Sequence, residues 1–287
     1  MAPEAIALLA AISYALFTVY GWFGLQYSTP LAATIVSLLA RTVLLWTAVI
    51  LTGGIPDFAR LALIVFVILG ILQSVTSLLT FVGLHKIGTA RSQPLRNTYP
   101  LWSALIATVV MREQAGAMIM AGTLSVVVGV VLISWKPQAP PPGYRWWHIV
   151  YSLGAGVLAG IAFPLRRLGL TITDEPVFFA AIVAVVSLAG AAPYLWFSQD
   201  KRGPICHPKS ILYFSLSGFF EGLGALLSLM ALSRGRVVVI APIVATTPLW
   251  NLIIASLFLR GREEINARTI AGTVAVVIGT VAIALGK

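Results

Sequence analysis

Residues 94–102 read Pro94-Leu95-Arg96-Asn97-Thr98-Tyr99-Pro100-Leu101-Trp102, and residues 242–250 read Pro242-Ile243-Val244-Ala245-Thr246-Thr247-Pro248-Leu249-Trp250. Both stretches place two prolines six apart and end Pro-Leu-Trp, at an offset of 148. Working outward, Leu78-Leu79 returns as Leu226-Leu227 at the same offset. Past Arg112 and Arg260 the offset becomes 150, so that Ala121-Gly122-Thr123 meets Ala271-Gly272-Thr273 and Gly129 meets Gly279. A two-residue insertion at 261–263 accounts for the change. Agreement in one register over this length identifies the chain as two copies of one unit.

Composition says what the unit is made of. Hydrophobic residues fill 59% of the 287 positions and charged residues 10%, against roughly 25% charged in a soluble domain. Such a chain cannot cover a water-facing surface. In lipid every backbone polar group must be paired internally, and the apolar runs are continuous rather than alternating, which selects helices. Spans are expected near 5–24, 30–52, 60–84, 90–110, 114–134, 147–170, 177–197, 210–232, 237–259 and 266–286. The predicted fold is therefore an all-α membrane protein with ten transmembrane helices as two inverted five-helix repeats. The odd number per half makes the second half enter from the opposite side. The expected division is a first repeat at 1–135, a Pro-rich linker at 136–146 around Pro140-Pro141-Pro142, and a second repeat at 147–287. Trp146 and Trp147 then stand where indole rings favour the membrane interface.

Several function classes drop out. The net charge is +10, but its Lys and Arg cluster at the ends of apolar runs, where they meet anionic headgroups rather than nucleic acid. The single cysteine, Cys206, allows no internal disulfide, and His85, His148 and His207 are far apart and near loops. No metal cluster, cofactor motif, phosphate-binding loop or nucleophile–base constellation is visible, which counts against an intramembrane enzyme. The first apolar run follows only Glu4, without a basic leader, and reads as a retained span.

Polar residues at depth are the site candidates. Of nine acidic residues, Glu221 alone lies deep in a span, where an isolated carboxylate is costly. Its repeat mate is Gln73. In the fourth span Arg96 lies about two turns inside, near Asn97, Tyr99 and, closer to the end, Arg91. The mates of Arg96, Asn97 and Tyr99 are Val244, Ala245 and Thr247, so the shared scaffold does not require Arg96. Substrate-binding candidates are thus Arg96, Glu221, Gln73, Tyr99, Asn97, Arg91, Trp102 and Trp250. Gating candidates are Pro94, Pro100, Pro242 and Pro248, which remove backbone donors and bend their helices. Tyr14, Tyr20 and Trp22 offer rings for stacking or packing, and Ser74, Thr76 and Ser77 offer hydroxyls. Arg166 and Arg167 end the sixth span and read as anchors. Small-residue pairs Gly156/Gly160 and Gly218/Gly222 predict close helix contacts, and Gly122/Gly129 with Gly272/Gly279 serve either internal packing or a dimer.

The paired proline-rich fourth helices, with an acid nine residues before a helical glycine (Glu113 and Gly122; Glu263 and Gly272), resemble the EamA-type members of the drug/metabolite transporter superfamily. The resemblance covers nearly the whole chain. It implies a central cavity lined by spans 1–4 and 6–9, with spans 5 and 10 peripheral and both termini cytoplasmic in a plasma (inner) membrane. Counting Lys and Arg leans weakly the other way. Arg41, mid-span in the second helix, falls where such proteins often carry a base. The expected function is secondary transport of a small polar or amphipathic metabolite by alternating access, with the lipid bilayer and a small-molecule substrate as partners and the chain a monomer or homodimer. Arg96 and Glu221 together suit an amino-acid-like zwitterion, and Glu221 alone suits a coupling proton. Organic anions such as phosphorylated sugars, held by Arg91 and Arg96, and lipid-linked substrates are the alternatives.

Overall fold

The computed structural model describes residues 2–87, 89–134, 144–197, 207–258 and 267–286. The proline run 140–142, Cys206, Glu263 and the insertion at 261–263 lie outside them, as does the His85 side chain.

The first half holds α1 Pro3–Leu25, α2 Pro30–Leu51, α3 Arg60–Ile87, α4 Thr89–Arg96, α5 Tyr99–Val109 and α6 Ala117–Ser134. A short 3-10 turn, Trp146–His148, leads into α7 Ile149–Ile172. Then follow α8 Pro176–Phe197, α9 Pro208–Arg234, α10 Val237–Val244, α11 Thr247–Phe258 and α12 Ala267–Leu285. Eight stretches are long and apolar enough to cross a membrane, the run through α10 and into α11 counting as one, and α8 adds a shorter apolar segment. The chain is a multi-pass α-helical membrane protein.

Local chemistry sets the helix starts. Proline occupies the first turn of α1, α2, α5 and α9, where its missing N–H is one that a helix leaves unpaired anyway. His148 and His207, candidates for nothing catalytic, serve as caps. The His148 Nδ1 accepts from the Arg145 N–H at 3.1 Å and the His207 Nδ1 from the Lys209 N–H at 3.2 Å. Hydroxyls inside helices bond back to the preceding turn. Thr76 donates to the Leu72 carbonyl and Ser77 to the Gln73 carbonyl, which satisfies them where no water is at hand.

The side-chain distribution is that of a protein dissolved in lipid. Ile50, Leu51, Val109 and Leu285 face outward and are at least 69% exposed, whereas Ala7, Ala10, Ala11, Phe66 and Phe179 are completely buried. With lipid as apolar as leucine, packing rather than hydrophobicity holds helices together, and small residues let backbones approach. A Cβ on Gly122 would stand 2.7 Å from the Gly279 carbonyl oxygen, and one on Gly129 2.6 Å from that of Gly272. The two glycine stripes therefore face each other, and α6 crosses α12 within one chain. Gly218 meets the Ser37 backbone of α2, and Gly70 meets Val186 of α8.

The contacts repeat as the sequence does. α1 lies along α9 as α3 lies along α7; α2 packs on α9 as α8 packs on α3; α4 and α5 flank α7 as α10 and α11 flank α1. One expected span resolves differently. The sequence predicts one bent helix at 90–110; the structure shows two, α4 and α5, and α10 and α11 are split at the same point. Each second proline cannot donate to the carbonyl four residues earlier, so the ladder stops rather than bends.

Candidate functional site

The two breaks are built alike. The Thr98 hydroxyl donates to the Leu95 carbonyl at 2.7 Å and accepts from the Trp102 indole N–H at 3.3 Å. In the second half the Thr246 hydroxyl donates to the Ile243 carbonyl at 2.7 Å and accepts from the Trp250 indole at 3.2 Å. A threonine thus ties the exposed end of one short helix to the tryptophan of the next. Pro100 and Pro248 stop the ladders, Pro94 and Pro242 lie inside α4 and α10, and Thr98 and Thr246 hold the ends together. The signal for these threonines was present, since they match at the offset of 148. The indoles of Trp102 and Trp250 have their polar atoms spent in this lock.

α7 presses directly on the first break. A Cβ on Gly156 would lie 3.0 Å from the Leu95 carbonyl oxygen, and one on Gly160 2.9 Å from that of Tyr99. This close approach carries Phe163 and Arg166 of α7 up to the break. Tyr99 stacks on Phe163 with ring centroids 5.5 Å apart, and the Arg166 guanidinium lies 5.4 Å from the same Phe163 ring centre.

Glu221 is at mid-helix in α9, as its depth suggested, and it has a partner. The Arg41 Nη1 donates to its Oε1 at 2.9 Å. The Arg41 side chain is 5% exposed and that of Glu221 18%. Gly222, one residue on, lets α9 approach Arg41 and Leu44 of α2, so the pair forms where the two backbones are near. The partner of Glu221 is therefore Arg41, and the two charges cancel.

Tyr14 of α1 is within electrostatic reach of Arg166, Arg41 and Glu221. Tyr99 is within reach of Arg96, Tyr14 and Arg166. Tyr99 and Tyr14 thus link Arg96 and Arg166 to the Arg41–Glu221 pair, across α1, α2, α4, α5, α7 and α9. Arg96 and Arg166 are both partly buried. Neither makes a hydrogen bond or ion pair among the described residues, and the Arg96 Nε is buried with no partner.

Other candidates are placed elsewhere. The Asn97 amide turns away to α6 and donates to the Ser134 hydroxyl at 3.1 Å. Arg91 lies over the Tyr144 ring, 5.2 Å from its centre. Gln73 is half-buried in α3. Tyr20 stacks on Phe220 at 5.4 Å, and Trp22 edges against Phe23. The two arginines that end the sixth span part company. Arg167 donates to the Leu232 and Ser233 carbonyls at 2.7 and 2.6 Å, closing the end of α9. Arg166 turns inward. Sequence reading took both as anchors, because depth in a helix does not reveal which side a residue faces.

A second site of interest lies where the halves meet near the ends of α5 and α10. Arg112 takes a left-handed conformation, φ 55°, and swings the chain so that Glu113 faces the start of α10. The Glu113 carboxylate accepts from the Val237 and Val238 N–H groups, both at 3.0 Å. Arg236 donates to the Gln114 carbonyl at 2.8 Å. An acid at a helix N-terminus satisfies unpaired donors and meets the positive end of the helix dipole. Among the described residues, no group of three or more potential metal ligands is present.

A model of the EamA-like transporter family matches residues 2–135 and again residues 146–285. Among curated proteins none matches the chain. A crystal structure titled only as that of a protein is 13% identical and superposes with a TM-score of 0.82, over 99% of this chain and 96% of the other. That likeness shows the fold alone.

Proposed function

The chain belongs to the EamA-like transporter family, and from that premise we propose that it is a secondary carrier of a small polar or amphipathic metabolite, working by alternating access. It is a membrane transporter by family; the mechanism is our reading. In it the chain crosses the bilayer ten times, the halves 1–135 and 147–287 enter from opposite sides, and both termini are cytoplasmic in the plasma membrane. Inverted halves let one structure present two states of similar energy.

One observation carries the reading: at the broken helices the duplicated contacts are unequal. α10 packs on α5, while the equivalent pair, α4 and α11, makes no comparable contact among the described residues. In the ten-span topology this closes the bundle at the end bearing the N-terminus and leaves the chamber less sealed at the other. Glu113 on the α10 N-terminus is then the latch of the closed end. Broken helices whose short segments move separately are suited to such gating. The glycine stripes of α6 and α12 are used within the chain, which supports a monomer as the working unit.

A zwitterionic substrate that relied on Glu221 would have to displace Arg41 from the carboxylate. A coupling proton on Glu221 would likewise break the Arg41–Glu221 pair, so coupling and substrate binding would compete for one bond. Reconstitution into liposomes, with a panel of labelled amino acids, carboxylates, phosphate esters and amines, tests the carrier reading. Saturable counterflow of at least one solute is expected. Absence of flux for every class, in both directions and with or without a pH gradient, would sink it.

A further inference from the structure

The charges around Tyr14 and Tyr99 do not balance. Arg41 and Glu221 neutralise each other at 2.9 Å, which leaves Arg96 and Arg166 as two positive charges without a carboxylate among the described residues. Both are within electrostatic reach of Tyr99. Neither Tyr14 nor Tyr99 spends its hydroxyl on a hydrogen bond to another described residue. Asn97 and Arg91 face Ser134 and Tyr144 instead. An unpaired guanidinium at this depth is costly, and its fork of donors matches carboxylate and phosphate oxygens. Next to the two bases the Tyr99–Phe163 stack offers an aromatic platform.

We propose that Arg96 and Arg166, which both neighbour the Tyr99–Phe163 stack, form the binding site for an organic anion, whose carboxylate or phosphate group is drawn to these guanidiniums with the Tyr14 and Tyr99 hydroxyls as added donors, and whose apolar body lies against Tyr99 and Phe163. The proposal names the substrate class of the carrier's chamber and rests on that reading for its physiological meaning, but the anion site stands or falls separately. It also gives Arg41 and Glu221 a role: the pair holds one charge of each sign out of the ligand's reach, so that the site keeps a net charge of two.

The test uses the full-length protein in phosphatidylcholine nanodiscs, with phenyl phosphate, benzoate, benzyl alcohol and benzylamine as probes. A ligand that binds the folded state raises its melting temperature. The two anions are expected to raise it saturably, and the alcohol and amine are not. Arg96→Gln and Arg166→Gln should each weaken the phenyl phosphate midpoint at least tenfold, with the Lys variants keeping part of the affinity. Glu221→Gln leaves Arg41 without a counter-charge, and should tighten anion binding rather than weaken it. Anions no better than benzyl alcohol would overturn the proposal, as would a midpoint that neither Gln variant moves, or a Glu221→Gln protein that loses the anion. Should a Gln variant not fold, the Lys variants and Glu221→Gln still decide. Displacement of phenyl phosphate by added phosphatidylglycerol would overturn the soluble-ligand form and assign the same chemistry to a lipid headgroup. Anion binding without flux would sink the carrier reading and keep the site; flux of amines alone, without anion binding, would do the reverse.

Discussion

The two broken helices share a skeleton and differ in everything attached to it. α4 carries Arg91, Gln93 and Arg96, all partly exposed, while α10 is Val237–Val244, apolar and buried at every position. Both keep their prolines and the same threonine–tryptophan lock. The comparison teaches that the break is a structural part common to both halves, and that the helix before it is polar in one copy only. α10 is packed against α1 and α5 and capped by Glu113; on α4, Arg91 lies over Tyr144 and the Arg96 Nε has no partner among the described residues. In the proposed reading one break is closed and the other meets the solute.

The largest expected effect comes from forcing the second break to resemble the first. Val244→Arg places a guanidinium where the native side chain is 3% exposed, and the loss of stability should be about 3–5 kcal/mol, as for a buried charge without its partner. Thermal or denaturant unfolding in detergent reads it, and a loss below about 1 kcal/mol would break the contrast between the two helices. Next is the latch. Glu113→Ala removes an acceptor from two N–H groups of α10 and should cost about 1–2 kcal/mol. It should also raise labelling of a cysteine placed at the closed end, and unchanged labelling would separate the cap from the gate. Smaller again is Arg91→Gln, which gives up the contact with Tyr144 and about 0.5–1 kcal/mol, and should leave binding of phenyl phosphate within twofold. Smallest for stability is Arg96→Val, the reciprocal exchange. Removal of an unpaired charge should leave the melting temperature unchanged or higher, within about 0.5 kcal/mol. A large destabilisation there would mean that Arg96 is a structural strut after all.

Much of this was legible beforehand, for reasons that differ by residue. The glycines at 122, 129, 272 and 279 showed in the sequence because close backbone approach tolerates no Cβ; that they meet each other, rather than a second chain, needed the fold. Glu113 showed as a spaced acid, and its purpose appeared only with α10 beside it, 124 residues on. Glu221 stood out by depth, but its partner Arg41 is 180 positions away and no local pattern links them. Arg166 was missed because adjacent Arg166 and Arg167 look alike in sequence. On a helix neighbours point about 100° apart, and here one closes α9 while the other lies over the Phe163 ring. Asn97 was the converse case: polar, at the break, yet turned toward α6.

By itself the sequence determined what its own periodicities record. These are apolar runs of bilayer length, a unit repeated at 148 and then 150 positions, and prolines that no continuous helix accepts. Such features are set by local covalent chemistry and by the solvent, so they survive reading along a line. Only the tertiary structure decided which charges cancel and which are left over. That outcome depends on which helix faces meet, and facing is a property of pairs of elements far apart in the chain. Among the described residues Arg41 has its carboxylate and Arg96 and Arg166 do not, because α2 lies on α9 while Arg96 and Arg166 stand beside the Tyr99–Phe163 stack.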